Sequence, residues 1–293
     1  KIKDQYFFDL DYKFIENPVI FDFLNYKSNE ESKSSLKIGG KFVQDKFLNL
    51  EKIKFENGSD LISIDNLELT GDFKISNIKS ANFSFTDKQN KKNIFQIRDN
   101  KESYIISGKV FNASKLIDDL IFESKNKDFF NKNYNLNIDI EEVYLHDNHI
   151  VYDTKGNLKI RENNIFDANI TSRFNKNEKI SFTIISDNDQ KVTTLFSDKA
   201  KPFVQKFNFI KGFDKGSLDF YSVKAKDSTN SKLKIYEFKL KELPILTKIL
   251  TLASLQGIAD LLSGEGISFS EFEMNFENKN KLMTINEIYA IGP

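Results

Sequence analysis

The stretch Leu67-Glu68-Leu69-Thr70-Gly71-Asp72-Phe73-Lys74-Ile75 alternates apolar with polar residues, and it decides the fold class. Side chains along a strand point alternately to the two faces of a sheet, so Leu67, Leu69, Phe73 and Ile75 are predicted to share one face. The residues between them are charged or small, which is typical of a face exposed to solvent. The stretch therefore predicts a β-strand with one buried face and one solvated face.

The same alternation recurs along most of the chain. The further runs contain Ile53 and Phe55, Phe83 and Phe85, Phe95 and Ile97, Leu136, Ile138 and Ile140, Phe166, Ala168 and Ile170, Ile180, Phe182 and Ile184, Leu218 and Phe220, and Met274 and Phe276. Clusters of Asn, Asp and Gly between the runs are typical of tight hairpins. The pattern predicts a mainly β fold, an elongated antiparallel meander without the long crossovers that parallel strands need.

Three segments depart from this alternation and predict helices. Residues 112–123 and 197–209 have apolar residues at helical spacing, so each is expected to cover part of a sheet. Residues 244–263 are apolar on almost all sides, with Lys248 and Asp260 as the charged residues. Two charges at bilayer depth disfavour a membrane span. The third segment is therefore predicted to be a helix buried against the sheet.

Composition excludes several classes of function. The 43 basic residues balance the 43 acidic ones, so the chain has no net field to attract nucleic acid. Cysteine is absent, which excludes disulfides and thiolate chemistry. The chain starts without Met and closes on Gly-Pro directly after a strand pattern, which predicts a fragment cut at both ends. We expect residues 1–293 to form one continuous β-rich unit.

Catalytic and metal-binding patterns do not stand out in the sequence. The two histidines, His146 and His149, lie together at a predicted hairpin tip without a third ligand, so we expect no metal and a solvated turn. Gly264-Glu265-Gly266 lacks the preceding strand and the Lys-Ser/Thr of a phosphate-binding loop. The sequence thus predicts a protein that is not an enzyme and has no cofactor. A hydrolase acting on envelope lipids would need a Ser or His site that the chain does not display.

Residues 243–269 read LPILTKILTLASLQGIADLLSGEGISF and resemble the conserved helix region of the YhdP branch of the AsmA-like family. The matching positions are Pro244, Leu252, Ser254, Leu255, Gly257, Leu261, Leu262, Gly264 and Gly266. An alternating strand pair and a closing Gly-Pro follow, as in that family. The resemblance covers about the last hundred residues by motif, and earlier residues by architecture alone.

Membership of that family would imply a periplasmic protein, tethered to the inner membrane by a segment outside this chain. The sheet would curl into a groove with an apolar interior that conducts phospholipid between the inner and outer membranes. The partners would be phospholipids and possible envelope proteins rather than nucleic acid, in outer membrane biogenesis. The apolar helix would lie at 243–264.

The residues predicted to face the groove share one parity within their strands. They are Leu67, Leu69, Phe73, Ile75, Phe83, Phe85, Leu136, Ile138, Ile140, Phe166, Ile170, Phe182, Ile184, Leu218 and Phe220. An apolar sheet face must be covered by a second sheet, by a helix or by a ligand. The alternative to a groove is therefore a closed β-sandwich or β-solenoid, a structural module of an envelope protein without lipid transport.

Overall fold

A computed structural model describes most of the chain. It covers all residues except 1–4, 16, 30, 44–46, 122–132, 147, 163, 188, 208–211, 243–262, 264–265, 281 and 293. The chain divides into two compact units, residues 1–165 and 166–293.

The first unit contains eleven described strands and one helix. They are β1 (Gln5–Phe14), β2 (Ile20–Phe21), β3 (Tyr26–Lys27), β4 (Ser34–Val43), β5 (Phe47–Asn57), β6 (Asp60–Thr70), β7 (Ile75–Thr86), β8 (Lys92–Asp99), β9 (Tyr104–Asn112), α1 (Ser114–Ile121), β10 (Tyr134–His146) and β11 (His149–Arg161). A single 3-10 turn, Asp22–Leu24, lies between β2 and β3.

The second unit follows from β12, which begins two residues before the boundary. Its elements are β12 (Asn164–Arg173), β13 (Lys179–Ser186), β14 (Gln190–Ser197), α2 (Lys201–Phe207), β15 (Phe213–Ala225), β16 (Ser228–Leu240), β17 (Ile267–Lys279) and β18 (Leu282–Ile291).

The protein is mainly β, as the alternation predicted. Sixteen of the described strands form one long sheet that does not close, with β1 and β18 at its edges and the strand order following the chain. The short strands β2 and β3 pair with each other as a separate hairpin. Among the described strand pairings of the long sheet, neighbours run antiparallel in all but one.

The exception is the pair β9 and β10, which is parallel, with Leu136 opposite Tyr104. The prediction that the chain lacks a crossover was therefore wrong. The alternation stops at Asn112 and resumes at Tyr134. The number of residues between these positions, α1 included, is enough for a crossover that returns the chain to the end at which β9 begins, so that β10 can run parallel to β9.

Two of the three predicted helices are confirmed. Helix α1 lies within 112–123, and its first turn is capped because the Ser114 N–H donates to Oδ1 of Asn112 at 3.1 Å. Helix α2 lies within 197–209. The predicted helix at 244–263 lies outside the described residues, apart from Ser263. Within the described ranges, no helix has the length and hydropathy needed to cross a bilayer.

The stretch 67–75 is a hairpin and not one strand. The Thr70 N–H donates to the Lys74 carbonyl at 2.9 Å, and the Phe73 N–H donates to the Thr70 carbonyl at 2.9 Å. Phe73 has a φ of 61° and a side chain that is 68% exposed, so its placement in the buried row was wrong. The alternation survives the turn because Leu69 and Ile75 are paired residues and so share a face.

Single residues with positive φ shift the alternation in the middle of several strands. Asn66 has a φ of 49°, and the apolar row passes from Ile64 to Leu67, a step of three. Glu237, also at 49°, separates Ile235 from Phe238 in the same way. Irregular residues of this kind bend a strand and increase its twist. They keep the apolar side chains before and after them on one face.

Each unit has its own apolar core on one face of its sheet. In the first unit the core contains Tyr26, Phe55, Ile62, Ala81, Phe83, Phe85 and Phe95, with Val19, Phe21 and Leu24 packed against it. In the second it contains Ala200, Val204, Phe213, Leu218, Ile235, Phe238 and Phe272. The residues before β4 thus cover part of the apolar face of the first unit. Helix α2 covers part of the apolar face of the second unit.

Replacement by alanine should destabilise the protein strongly at Gly40 and have little effect on stability at Gly39. A Cβ on Gly40 would lie 2.3 Å from the Asn49 carbonyl oxygen, whereas a Cβ on Gly39 would meet nothing within 4 Å. We expect Gly40→Ala to lower the free energy of unfolding by about 3 kcal/mol, because backbone must move. Gly39→Ala should change it by less than about 1 kcal/mol. Urea denaturation of both variants measures this, and equal losses would contradict it.

Candidate functional site

A row of aliphatic side chains crosses the first unit at right angles to its strands. Cross-strand partners lie on the same face, so the pairings define the row. In strand order it consists of Leu10, Ile38, Ile53, Ile64, Ala81, Ile97, Ile106, Ile138 and Gly156. Ala81 is buried and Leu10 is exposed, while the others are half-buried. The row therefore remains partly accessible along its length.

A second row lies beside it, toward the core. Its members are Tyr12, Leu36, Phe55, Ile62, Phe83, Phe95, Gly108, Ile140 and Thr154. This row is deeper: Phe55 is 1% exposed, and its ring lies 5.7 Å from that of Tyr26, which comes from outside the long sheet. The protein thus covers the second row with its own residues more completely than the aliphatic row.

Two tyrosines show that the sheet of the first unit bends toward this apolar face. The Tyr134 hydroxyl on β10 donates to the Ile75 carbonyl on β7 at 2.8 Å, although β8 and β9 lie between these strands. Three flat strand spacings would separate them by about 14 Å, beyond the reach of a tyrosine. A second contact of the same kind joins β7 to β9 across β8, where the Ile78 N–H donates to the Tyr104 hydroxyl at 3.1 Å.

Burial of these tyrosines also changes their acidity. Desolvation, with a smaller contribution from Tyr104, raises the pKa of Tyr134 to about 12, so the hydroxyl stays protonated as a donor. Desolvation is also the largest cause of the raised pKa of Tyr104. The two rings lie 5.5 Å apart, and they close the end of the apolar face at which β7 begins.

The second unit has a comparable row. It consists of Ile170, Phe182, Leu195, Phe220, Leu233, Met274 and Ile288. These residues are half-buried, except for Ile288, which is 57% exposed on β18. The neighbouring row, which includes Leu218 and Ile235, is buried in the core with Val204 of α2. Here too one row is covered and the next is accessible.

The opposite face of the second unit carries a cluster of paired charges beside exposed apolar residues such as Ile185 and Phe196. Glu273, 5% exposed, lies between Lys232 at 2.8 Å and Lys234 at 2.7 Å. The two ammonium groups and the Asn275 amide hold the pKa of the Glu273 carboxyl well below its usual range. Tyr289 donates its hydroxyl to the same carboxylate at 3.0 Å. The charges are thus paired with each other on one face, away from the apolar row on the other.

The structure places the predicted groove residues as follows. Apart from Phe73, they all lie in strands and on the apolar face of their unit. Phe83, Phe85, Ile140, Ile184, Leu218 and Leu67 are buried, and Leu69, Ile75, Leu136, Ile138, Phe166, Ile170, Phe182 and Phe220 are half-buried. The motif positions of the predicted helix lie outside the described residues, except Gly266, which has a φ of 89°.

Several members of the accessible rows were not predicted from the sequence. Ile38, Ile64, Ile106, Leu195 and Leu233 were not among the predicted groove residues. Ile64 could have been predicted from the sequence, because Ile64 and Leu67 are three residues apart with Asn66 between them. Asn adopts positive φ more readily than most residues, and a positive φ at this position keeps both side chains on one face. The others become visible only through the pairing register.

His146 and His149 face each other across the β10–β11 hairpin. No group of three His, Cys, Asp or Glu residues that could hold a metal ion is found among the residues that the structure covers.

Comparisons with protein-family models, with curated proteins and with solved structures find no match for this chain. The resemblance to the AsmA-like family therefore stays a prediction from residues 243–269.

Proposed function

We propose that the apolar face of each unit binds the acyl chains of phospholipids, and that the protein is a groove-forming carrier of phospholipid between the two membranes of a bacterial envelope. The observation that carries this proposal is the aliphatic row of the first unit. It crosses nine strands, and most of its members are only half-buried, although its side chains are as apolar as a protein core. Exposure of such a surface to water is unfavourable, so it is expected to bind an apolar partner.

The dimensions of this row suit a lipid tail. Nine strands, at about 4.8 Å between neighbours, give a row about 38 Å long. The acyl chains of one leaflet fill about 15 Å, half the thickness of a bilayer core. A tail of that length lying along the row would cross about four strands. It would meet one aliphatic side chain at each of them, except at β11, where the row ends in Gly156. Since each buried CH₂ contributes about 0.8 kcal/mol, even partial burial of a tail outweighs the cost of ordering it.

The curvature supports the same function. The bonds from Tyr134 to Ile75 and from Ile78 to Tyr104 bend the sheet of the first unit toward its apolar side. A concave apolar face surrounds more of a tail than a flat one does, and leaves its charged headgroup at the rim. In the second unit, Glu271 and Glu273 pair with Lys234 on the opposite face, so these charges do not compete for the apolar one.

The direct test is organic extraction of the purified chain followed by mass spectrometry. We expect phospholipid at about one molecule or more per chain, and a photo-crosslinker at Ile138 should capture lipid in cells. The crosslinker at Asn137, exposed on the opposite face, is the control and should capture little. A chain that carries no lipid, with no capture at Ile138, would favour a structural module whose face is closed by protein.

A further inference from the structure

A cleft of about 410 Å³ lies on the outer face of the second unit, which is the face opposite its accessible row. The cleft is built on β14, β15 and β16, each of which has a neighbouring strand on both sides. Its volume falls in the range of small-molecule sites, roughly 300–1,000 Å³. The residues that line it from the outer face are Thr194, Phe196, Asp219, Tyr221, Lys232 and Lys234.

Two aromatic rings line this cleft and remain in contact with water. Phe196 is 43% exposed and Tyr221 is 49% exposed, although both lie on inner strands of the sheet. Phe196 is opposite Asp219 and Tyr221 is opposite Thr194, so the two aromatic residues are diagonal neighbours, about 7–8 Å apart. Asp219 and Thr194 have short side chains, which leave space beside the rings for a ligand.

Asp219 supplies a negative charge beside the rings. In the part of the chain that the structure describes, its carboxylate has no hydrogen bond and no ion pair. Lys234 lies opposite Asp219, but its ammonium group contacts Glu271 at 3.0 Å and Glu273 at 2.7 Å. Lys232 contacts Glu273 at 2.8 Å. Three carboxylates thus accompany two ammonium groups, and the charge of Asp219 is the one left for a ligand.

We propose that this cleft binds an organic cation, an ammonium group that carries apolar substituents. The faces of aromatic rings attract such a cation, and sites for quaternary ammonium groups are built from aromatic rings in this way. The carboxylate of Asp219 adds a direct charge attraction. Calcium and magnesium fit less well, because each needs six or more oxygen ligands and one free carboxylate supplies at most two.

Two sources carry this chemistry, a free amine and the headgroup of a choline phospholipid in a membrane. A phospholipid whose tail lies on the accessible row is not a source, because the sheet separates that row from the cleft. The proposal is therefore independent of lipid binding on the apolar face.

NMR titration of the whole chain with choline chloride tests the site. The matched ligand is 3,3-dimethyl-1-butanol, which has the shape of choline with a carbon atom in place of the charged nitrogen. We expect a dissociation constant on the order of millimolar for choline and binding at least about tenfold weaker for the neutral alcohol. Failure of choline to bind, or equal binding of the two ligands, would overturn the proposal.

Asp219→Asn should weaken choline binding at least about tenfold, because it removes the charge and keeps the shape. Phe196→Leu and Tyr221→Leu should each weaken it about threefold or more, since leucine is apolar but has no aromatic face. Asp227→Asn, at the exposed turn between β15 and β16, is the matched control and should leave binding unchanged. Equal effects of Asp219→Asn and Asp227→Asn would contradict the site.

Co-sedimentation with phosphatidylcholine vesicles distinguishes the two sources. Vesicle binding that is lost in Asp219→Asn identifies the headgroup as the source of the cation. Choline binding without such vesicle binding identifies a free amine. Vesicle binding that survives in Asp219→Asn belongs to the apolar face, and the choline titration then decides between a free amine and no site at all.

Discussion

Phe182→Asp should remove most of the phospholipid that the protein binds. Phe182 is half-buried in the accessible row of the second unit, paired with Ile170 and Leu195. An aspartate there would place an unpaired carboxylate beside hydrocarbon, at a cost of at least about 3 kcal/mol, or would be forced to take up a proton. That cost corresponds to a loss of lipid affinity of roughly a hundredfold or more. The measurement is phospholipid per mole of folded protein after extraction.

Ile185→Asp is the control for this variant. Ile185 lies on the same strand, points to the opposite face and is 67% exposed, so the introduced charge remains in water. We expect unchanged lipid content and a change in stability within about 0.5 kcal/mol. In the first unit, Ile106→Asp and Ile105→Asp form a second such pair on adjacent residues of β9. Equal lipid loss from both members of either pair would argue against a lipid-binding face.

Phe238→Ala should cost about 3–5 kcal/mol of unfolding free energy, the largest loss of stability that we predict. Phe238 is 2% exposed, and its ring stacks on those of Phe213 at 5.3 Å and Phe269 at 5.1 Å. Removal of the ring leaves a cavity that two neighbouring strands cannot collapse to fill. Urea denaturation followed by circular dichroism measures the loss.

Phe73→Ala is the matched control, since it deletes the same ring from an exposed turn. We expect a change within about 0.5 kcal/mol. Simple alternation predicts the reverse ranking, because Phe73 continues an alternating run while Phe238 breaks one. A loss at Phe73 comparable with that at Phe238 would therefore contradict the hairpin between β6 and β7 and restore the single strand.

The sequence by itself determined the β class, most of the strands, helices α1 and α2, and, within each unit separately, which face the predicted groove residues other than Phe73 occupy. These features depend on neighbours along the chain: alternation records which side of a strand is apolar, and Asn, Asp and Gly mark the turns. The groove and its lipid remain a proposal, and the helix at 244–263 lies outside the described residues.

Only the tertiary structure decided how these strands combine. The parallel pairing of β9 with β10, the alignment of Ile38, Ile53, Ile64 and Ile106 in one row, and the bend made by Tyr134 all join residues far apart in sequence. The same holds for the difference between the covered rows and the accessible ones. Alternation fixes the face of a side chain but not its partner, because the partner depends on strand register, which is set by pairing across the whole sheet.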